Sequence, residues 1–261
     1  MLLADAAPGC MNNETPAPEA AAADPRAPAT AAERPATERL RTLYHGWLSP
    51  FSRKVRIALG EKGLGFGLVV EKDWERRREF LALNPAGTVP VLVEPDGAVI
   101  AGHLAICEYL DETQTPGSLL GTEPRERAEV RRLTAWFDEK FHHDVTQNLV
   151  GEKLFRRFMG MGEPDSNAIR AGHQNINLHL DYIAYLSERR TWLAGRTFSM
   201  ADIAAAAQIS CVDYLGDVPW VEYSGAKDWY ARVKSRPSFR PVLADYIPGL
   251  APPKHYANLD F

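Results

Sequence analysis

The sequence predicts a two-domain α+β fold, a small β-α-β-α-β-β-α unit followed by an all-helical domain. Three observations predict it. Short apolar strands alternate with helical patterns across residues 41–113. A turn-bearing stretch, TQTPGSLLG (113–121), then interrupts the pattern as a linker. Beyond it, across 122–247, apolar residues recur only at helical spacing.

Taken in order, TLYH (42–45) is a short apolar strand. SRKVRIALGEKG follows as a helix, with Val55, Ile57, Ala58 and Leu59 on its apolar stripe and Gly63 as C-terminal stop. FGLVVE (66–71) reads as a second strand and WERRREFLAL (74–83) as a helix with Phe80, Leu81 and Leu83 apolar. VPVLVE, a Pro-Asp-Gly turn at 95–97 and AVIA form an antiparallel hairpin. LAICEYLDE (104–112) closes the unit as a helix.

In the second domain, residues 123–160 form a long charged amphipathic stretch. Val130, Leu133, Phe137, Phe141, Val145 and Leu149 recur along one face. Residues 165–189 repeat the theme with Ile169, Ile176, Leu180, Ile183 and Leu186. Residues 199–213 are nearly all apolar, which predicts a central helix buried on all sides. Two short helices divided at Pro237 fill 224–245, and 248–261 is a proline-punctuated, irregular tail. Residues 1–40 are rich in Ala, Pro and Glu and have almost no large apolar residues, so disorder is expected there.

The totals exclude several functions. Of 261 residues, 45% are apolar and 25% charged, and the net charge is −4, so no general nucleic-acid binder is implied. No apolar run approaches the ~20 residues that a membrane helix needs, so no membrane insertion is expected. MLLADAAPGC lacks the basic start of a secretory signal. Three cysteines, Cys10, Cys107 and Cys211, form no CxxC pair, which fits a reducing cytoplasm and no metal site.

Candidate chemistry is sparse. In LSPFSRKVRI (48–57), Ser49 before Pro50 is a favoured helix cap followed by a favoured first helical residue. A hydroxyl at a helix N-terminus would also favour a bound thiolate. In EKFHHDV, Asp138–His142 and Glu139–His143 are i,i+4 pairs with Asp144 beside them, expected to be surface ion pairs rather than metal ligands. Cys107 and Cys211 lie in apolar helical patterns and read as core. WERRRE reads as a solvated helix face with Trp74 partly packed.

The layout resembles the glutathione transferase superfamily, whose first domain is thioredoxin-like. The resemblance rests on NPAGTVPVL (84–92), GHLAICEYL (102–110) and WLAGRTFSMADI (192–203), the last with a Ser199/Asp202 capping arrangement. It implies a cis-proline at Pro90, with the Val89 backbone holding the cysteinyl part of glutathione. It also implies Ser49, in Ser49-Pro50-Phe51, as the thiolate stabiliser if glutathione is bound. The family's acidic-Ser pair that grips the γ-glutamyl end is replaced by Gly102-His103. Val89, Pro90 and His103 are therefore expected to form a vestigial glutathione site, with no cofactor. Maleylacetoacetate isomerases of the family carry a Ser-Ser-Cys that is absent here.

Within the superfamily, WERRREFLALNPAGTVPVL, VRRLTAWFDEKFHHDVTQNL and SRPSFRPVLADYIPGLAPPKHYANLDF resemble the FtsZ-localized protein A branch of alphaproteobacterial cell-division factors. That resemblance implies a non-catalytic homodimer that binds FtsZ filaments and helps couple them to septal wall synthesis machinery. The alternative is a glutathione-dependent transferase acting on a small electrophile. In the tail, Lys254, His255, Tyr256, Leu259, Asp260 and Phe261 are candidate partner contacts. The competing reading is that Tyr256, Leu259 and Phe261 fold back on the parent domain.

Overall fold

A computed structural model describes residues 40–114, 117–247 and 249–259. Apart from the exposed Leu40, the expected disorder of residues 1–40 lies outside the described residues, as do the roles of Asp260 and Phe261. The element order is β1 (Arg41–His45), α1 (Pro50–Glu61), β2 (Phe66–Val70), α2 (Arg78–Leu83), β3 (Val91–Val93), β4 (Val99–Ala101) and α3 (His103–Thr113). The strands form a sheet in the order β2-β1-β3-β4. β1 runs parallel to β2, with Leu43 opposite Leu68, and antiparallel to β3, with Leu43 opposite Leu92. β3 and β4 pair antiparallel through the turn at Asp96 and Gly97. The fold class is as the sequence predicts.

The helical domain comprises α4 (Pro124–Ala135), a π-helical continuation (Trp136–Phe155), α5 (Arg156–Phe158), α6 (Ser166–Arg189), α7 (Met200–Tyr214), α8 (Ser224–Lys234) and α9 (Arg240–Leu243). Every residue of α7 is buried, so this helix is the core of the domain. Its start is fixed by Asp202. One carboxylate oxygen accepts the Ser199 amide at 3.1 Å, and the other accepts Leu193 N at 2.9 Å and Trp229 Nε1 at 3.0 Å.

Two expectations are corrected. The helix expected over 74–83 begins only at Arg78, because Arg76 adopts φ +48° and ends a single 3-10 turn at Asp73–Glu75. The predicted helix of 123–160 is continuous but widens after Ala135. Leu133, Phe137, Phe141, Val145 and Leu149 are spaced four apart and are all buried. Four residues overshoot an α-helical turn by about 40°. From Phe137 onward these side chains remain buried along the segment whose backbone has the wider π turn.

The two halves lock through charge as well as packing. Arg53, Lys54 and Arg56 of α1 are buried beside the apolar stripe of Val55, Ile57, Ala58 and Leu59. Arg53 donates to Ser210 Oγ of α7 at 2.9 Å and to Asp245 at 3.2 Å. Arg56 makes two bonds of 2.8 Å to Asp245 and one of 3.1 Å to Pro241 O.

Candidate functional site

A cleft of about 540 Å³ opens between the thioredoxin-like unit and the π segment. Ser49, Pro50 and Phe51 form one wall, Thr88 and Val89 the floor, and Gly102 and His103 one end. Asp73 and Trp74 face Phe155 and Met159 across the mouth. The structure therefore brings together Ser49, Val89 and His103 as the sequence motifs imply, and the Val89–Pro90 peptide is cis.

Ser49 is the helix cap. Its Oγ accepts the Ser52 amide at 3.2 Å, and Pro50 is the first helical residue. The residue before it, Leu48, sits at φ +48° with its side chain buried. Such a backbone costs about 1–3 kcal/mol and persists only where packing holds it. The hydroxyl proton of Ser49 remains available to the cleft, since its oxygen serves the cap as acceptor.

His103 does not reach into the cleft as a charged group. Its ring stacks on Phe51, with centroids 4.3 Å apart and planes 16° from parallel. His142 also packs on Phe51, tilted by 49° with centroids 4.7 Å apart. The His103 Nδ1 is buried without a hydrogen bond and lies 3.6 Å from Asp138. Burial, then the Lys54 ammonium, then His142 push its pKa down to about 3, so it is neutral at pH 7. A neutral imidazole locked in a stack supplies no charge to a γ-glutamyl carboxylate. Gly102, at φ +89°, brings no side chain at the neighbouring position.

The expected surface pairs of EKFHHDV are rearranged. Asp138 is buried and forms an ion pair with the buried Lys54, not with His142. Burial pushes the Asp138 carboxyl upward, while Lys54 opposes the shift. His142 instead approaches Gln208 Oε1 at 3.4 Å, an oxygen that also accepts the Thr146 hydroxyl at 2.6 Å. His143 pairs with Asp144 at 3.1 Å, while Glu139 is exposed. No group of three or more His, Cys, Asp or Glu side chains able to hold a metal occurs among the described residues. Cys107 and Cys211 are both buried, and burial pushes the Cys107 thiol up to about 12.

Sequence reasoning missed Asp73. Its carboxylate faces the backbone amides of Trp74 and Val89, which oppose the upward shift caused by burial. Asp73 falls between the strand read at 66–71 and the helix read over 74–83. Only the 3-10 turn carries it to the cleft.

The tail is partly folded back. Tyr256 is 0% exposed, its ring packs edge-on against Tyr214 at 5.1 Å, and its hydroxyl donates to Val242 O at 3.3 Å. It anchors the segment instead of presenting a ring to a partner, because a phenol on the outer face of α7 fills core space. His255 contacts the buried Asp213 at 3.0 Å and its carbonyl accepts from Lys234. Leu259 is half-buried against the core, and Lys254 is exposed.

Family models for the glutathione S-transferase N-terminal and C-terminal domains match residues 48–113 and 146–237. The chain is 52% identical over 224 residues to FtsZ-localized protein A of Caulobacter vibrioides, covering 85% of this chain and 98% of that protein. It belongs to the glutathione S-transferase superfamily.

Two solved structures support the assignment. A glutathione S-transferase from Rhodospirillum rubrum is similar at 56% identity and TM-score 0.83. FzlA from C. crescentus is similar at 52% identity and TM-score 0.82. Each covers 85% of this chain and is itself covered completely. No helix among the described residues is long and apolar enough to cross a membrane.

Proposed function

We propose that this chain is a cell-division protein that binds FtsZ filaments and uses the transferase fold as a scaffold without turning over glutathione. The observation that carries this reading is the 52% identity to FtsZ-localized protein A across 98% of that protein. The site geometry supports it independently. Gly102 and the stacked, neutral His103 lack the charged grip on the γ-glutamyl end, and Asp73 engages the Val89 amide. A charge-assisted hydrogen bond contributes about 1.5–3 kcal/mol, so losing one weakens glutathione binding roughly ten-fold or more.

The active species in this proposal is a cytoplasmic homodimer at the division site, which doubles the filament contacts and helps couple filaments to septal wall synthesis. Val99 of β4 and Leu104 of α3 are 42% and 55% exposed, an apolar strip available for a second copy. The filament contacts proposed in the tail are Lys254, His255, Leu259, Asp260 and Phe261. Co-sedimentation with polymerised FtsZ tests the reading. The protein should pellet with filaments and stay in the supernatant without them. Failure to co-pellet would refute it.

A second reading is favoured by one observation, the Ser49 hydroxyl on the cleft wall. It is a glutathione-dependent transferase acting on a small electrophile with Ser49 as thiolate stabiliser. Calorimetry with glutathione separates the two. Micromolar binding that weakens in Ser49→Ala supports the enzyme, and millimolar or absent binding supports the scaffold.

A further inference from the structure

The cleft keeps its volume although its glutathione contacts are compromised, and its lining has a definite chemistry. Among the described residues, Asp73 is the one formally charged side chain on its wall. His103 and His142 both line it, and burial lowers the pKa of each, so neither offers a cation at pH 7. Lys54, which acts on His103, is paired with the buried Asp138, and Lys72, next to Asp73 in sequence, is paired with Glu75. Ser49, Thr88, Thr146 and Gln147 supply neutral polar groups. The rest of the wall is apolar and aromatic. Trp74 is held against Phe158 at 6.1 Å, and Phe155 and Met159 lie across the mouth.

Such a wall discriminates by charge. An anion entering it meets the Asp73 carboxylate and no compensating cation. A cation meets a carboxylate whose backbone donors, Trp74 and Val89, hold it in place. An indole face beside that carboxylate adds cation–π attraction. The apolar surfaces of Trp74, Phe155 and Met159 suit a flat ring.

We propose that the cleft is a binding site for a small cationic arylalkylamine, with its ammonium on Asp73 and its ring between Trp74 and Phe155. The chemical class is a primary amine two or three bonds from an aromatic ring. The site is separate from the filament contacts proposed in the tail, so it stands or falls independently of the cell-division reading.

The test compares three probes of equal shape on the full-length protein: phenethylamine, 2-phenylethanol and 3-phenylpropionate. Binding is read by calorimetry and by ligand-observed NMR at pH 7.5. Phenethylamine should bind at least ten-fold more tightly than 3-phenylpropionate, with 2-phenylethanol between them. In Asp73→Asn that preference should fall to less than three-fold, with the thermal unfolding midpoint used to verify folding. Trp74→Leu should weaken all three probes while preserving their order. Equal affinity for amine and acid in the wild-type protein, or no binding of the amine, would overturn the proposal without reference to any variant. Retention of the full preference in Asp73→Asn would overturn the role of Asp73.

Discussion

Replacing Asp245 by Asn tests how the two halves are held together. The carboxylate takes one bond from Arg53 and two from Arg56, and those guanidiniums are 1% and 5% exposed. Without it, Arg53 keeps Ser210 Oγ and Arg56 keeps Pro241 O, so each positive charge stays buried with no counter-charge. Removing one partner of a fully buried pair costs about 3–5 kcal/mol. Asp245 is itself 24% exposed and water reaches it, so a discounted loss of roughly 2–4 kcal/mol is expected. For a unit of this size, about 2–4 °C per kcal/mol gives a fall of roughly 5–15 °C in Tm. The assay is far-UV circular dichroism melting at pH 7. Acid provides an internal control. Burial raises the Asp245 carboxyl, but Arg53 and then Arg56 outweigh it and hold it below 3.8. A depressed acid stabilises the fold above its unfolded pKa and loses that stabilisation as pH falls through the folded value. The gap between wild type and variant should therefore close below pH 3.8. A Tm within about 2 °C of wild type at pH 7 would refute the reasoning, as would a gap that persists undiminished in strong acid.

Other expectations follow from the same contacts. Ser49→Ala removes the cap on Ser52 N and should cost about 1 kcal/mol, a fall of a few degrees in Tm, without loss of FtsZ co-pelleting. An unchanged Tm would reject the cap assignment. Tyr256→Ala should destabilise by about 3–5 kcal/mol because the ring is wholly buried against Tyr214. Phe261→Ala, by contrast, should leave Tm unchanged and lower co-pelleting; unaltered co-pelleting would remove Phe261 from the contact. Burial lowers the pKa of His45 and His179 to about 4 and of His103 to about 3, all from 6.5. The unfolded chain therefore takes up these protons first, and stability should decline as pH falls from 6.5 towards 4. A urea midpoint that is flat between pH 7.5 and 5 would contradict this.

The order of elements along the chain and the buried faces were legible because their signals are periodic and local. Alternating β patterns, Gly63 and the uniformly apolar α7 each state their structure within a few residues. The regular four-residue step from Leu133 to Leu149 reads as ordinary helix, and nothing in it states the wider π turn. Charged residues gave the opposite result. Lys54 and Asp138 look solvent-facing in sequence, yet they meet in the interior because α1 and the π segment approach each other there. Nothing within either segment states that approach. Asp73 was hidden for a similar reason. Its role depends on the left-handed Arg76, which turns the chain before α2 begins. Tyr256 was assigned to a partner because proline-rich context suggests exposure, whereas the cavity it fills is built by residues of α7 and α9.

The cleft shows why retention of a fold and retention of its ligand are separable. Ser49 caps α1 whether or not a thiol is present, and the Ser199–Asp202 cap and the buried α7 serve the core alone. Phe51, His103 and His142 pack together at the junction between the halves, His103 stacked on Phe51 and His142 tilted against it. A hydroxyl or carboxylate in place of His103 would reopen the γ-glutamyl site but remove one ring of that stack. The substitution that weakens a tripeptide site therefore also stiffens the joint between domains. A protein that works by presenting surfaces to a filament benefits from a fixed joint, since contacts on a rigid body add without an ordering cost at binding. On this argument His103→Ser should loosen the junction, visible as faster amide exchange in α1 and α3. FtsZ co-pelleting should fall with it even though His103 lies far from the tail in sequence. Unchanged exchange and unchanged co-pelleting would show that the stack does not set the joint.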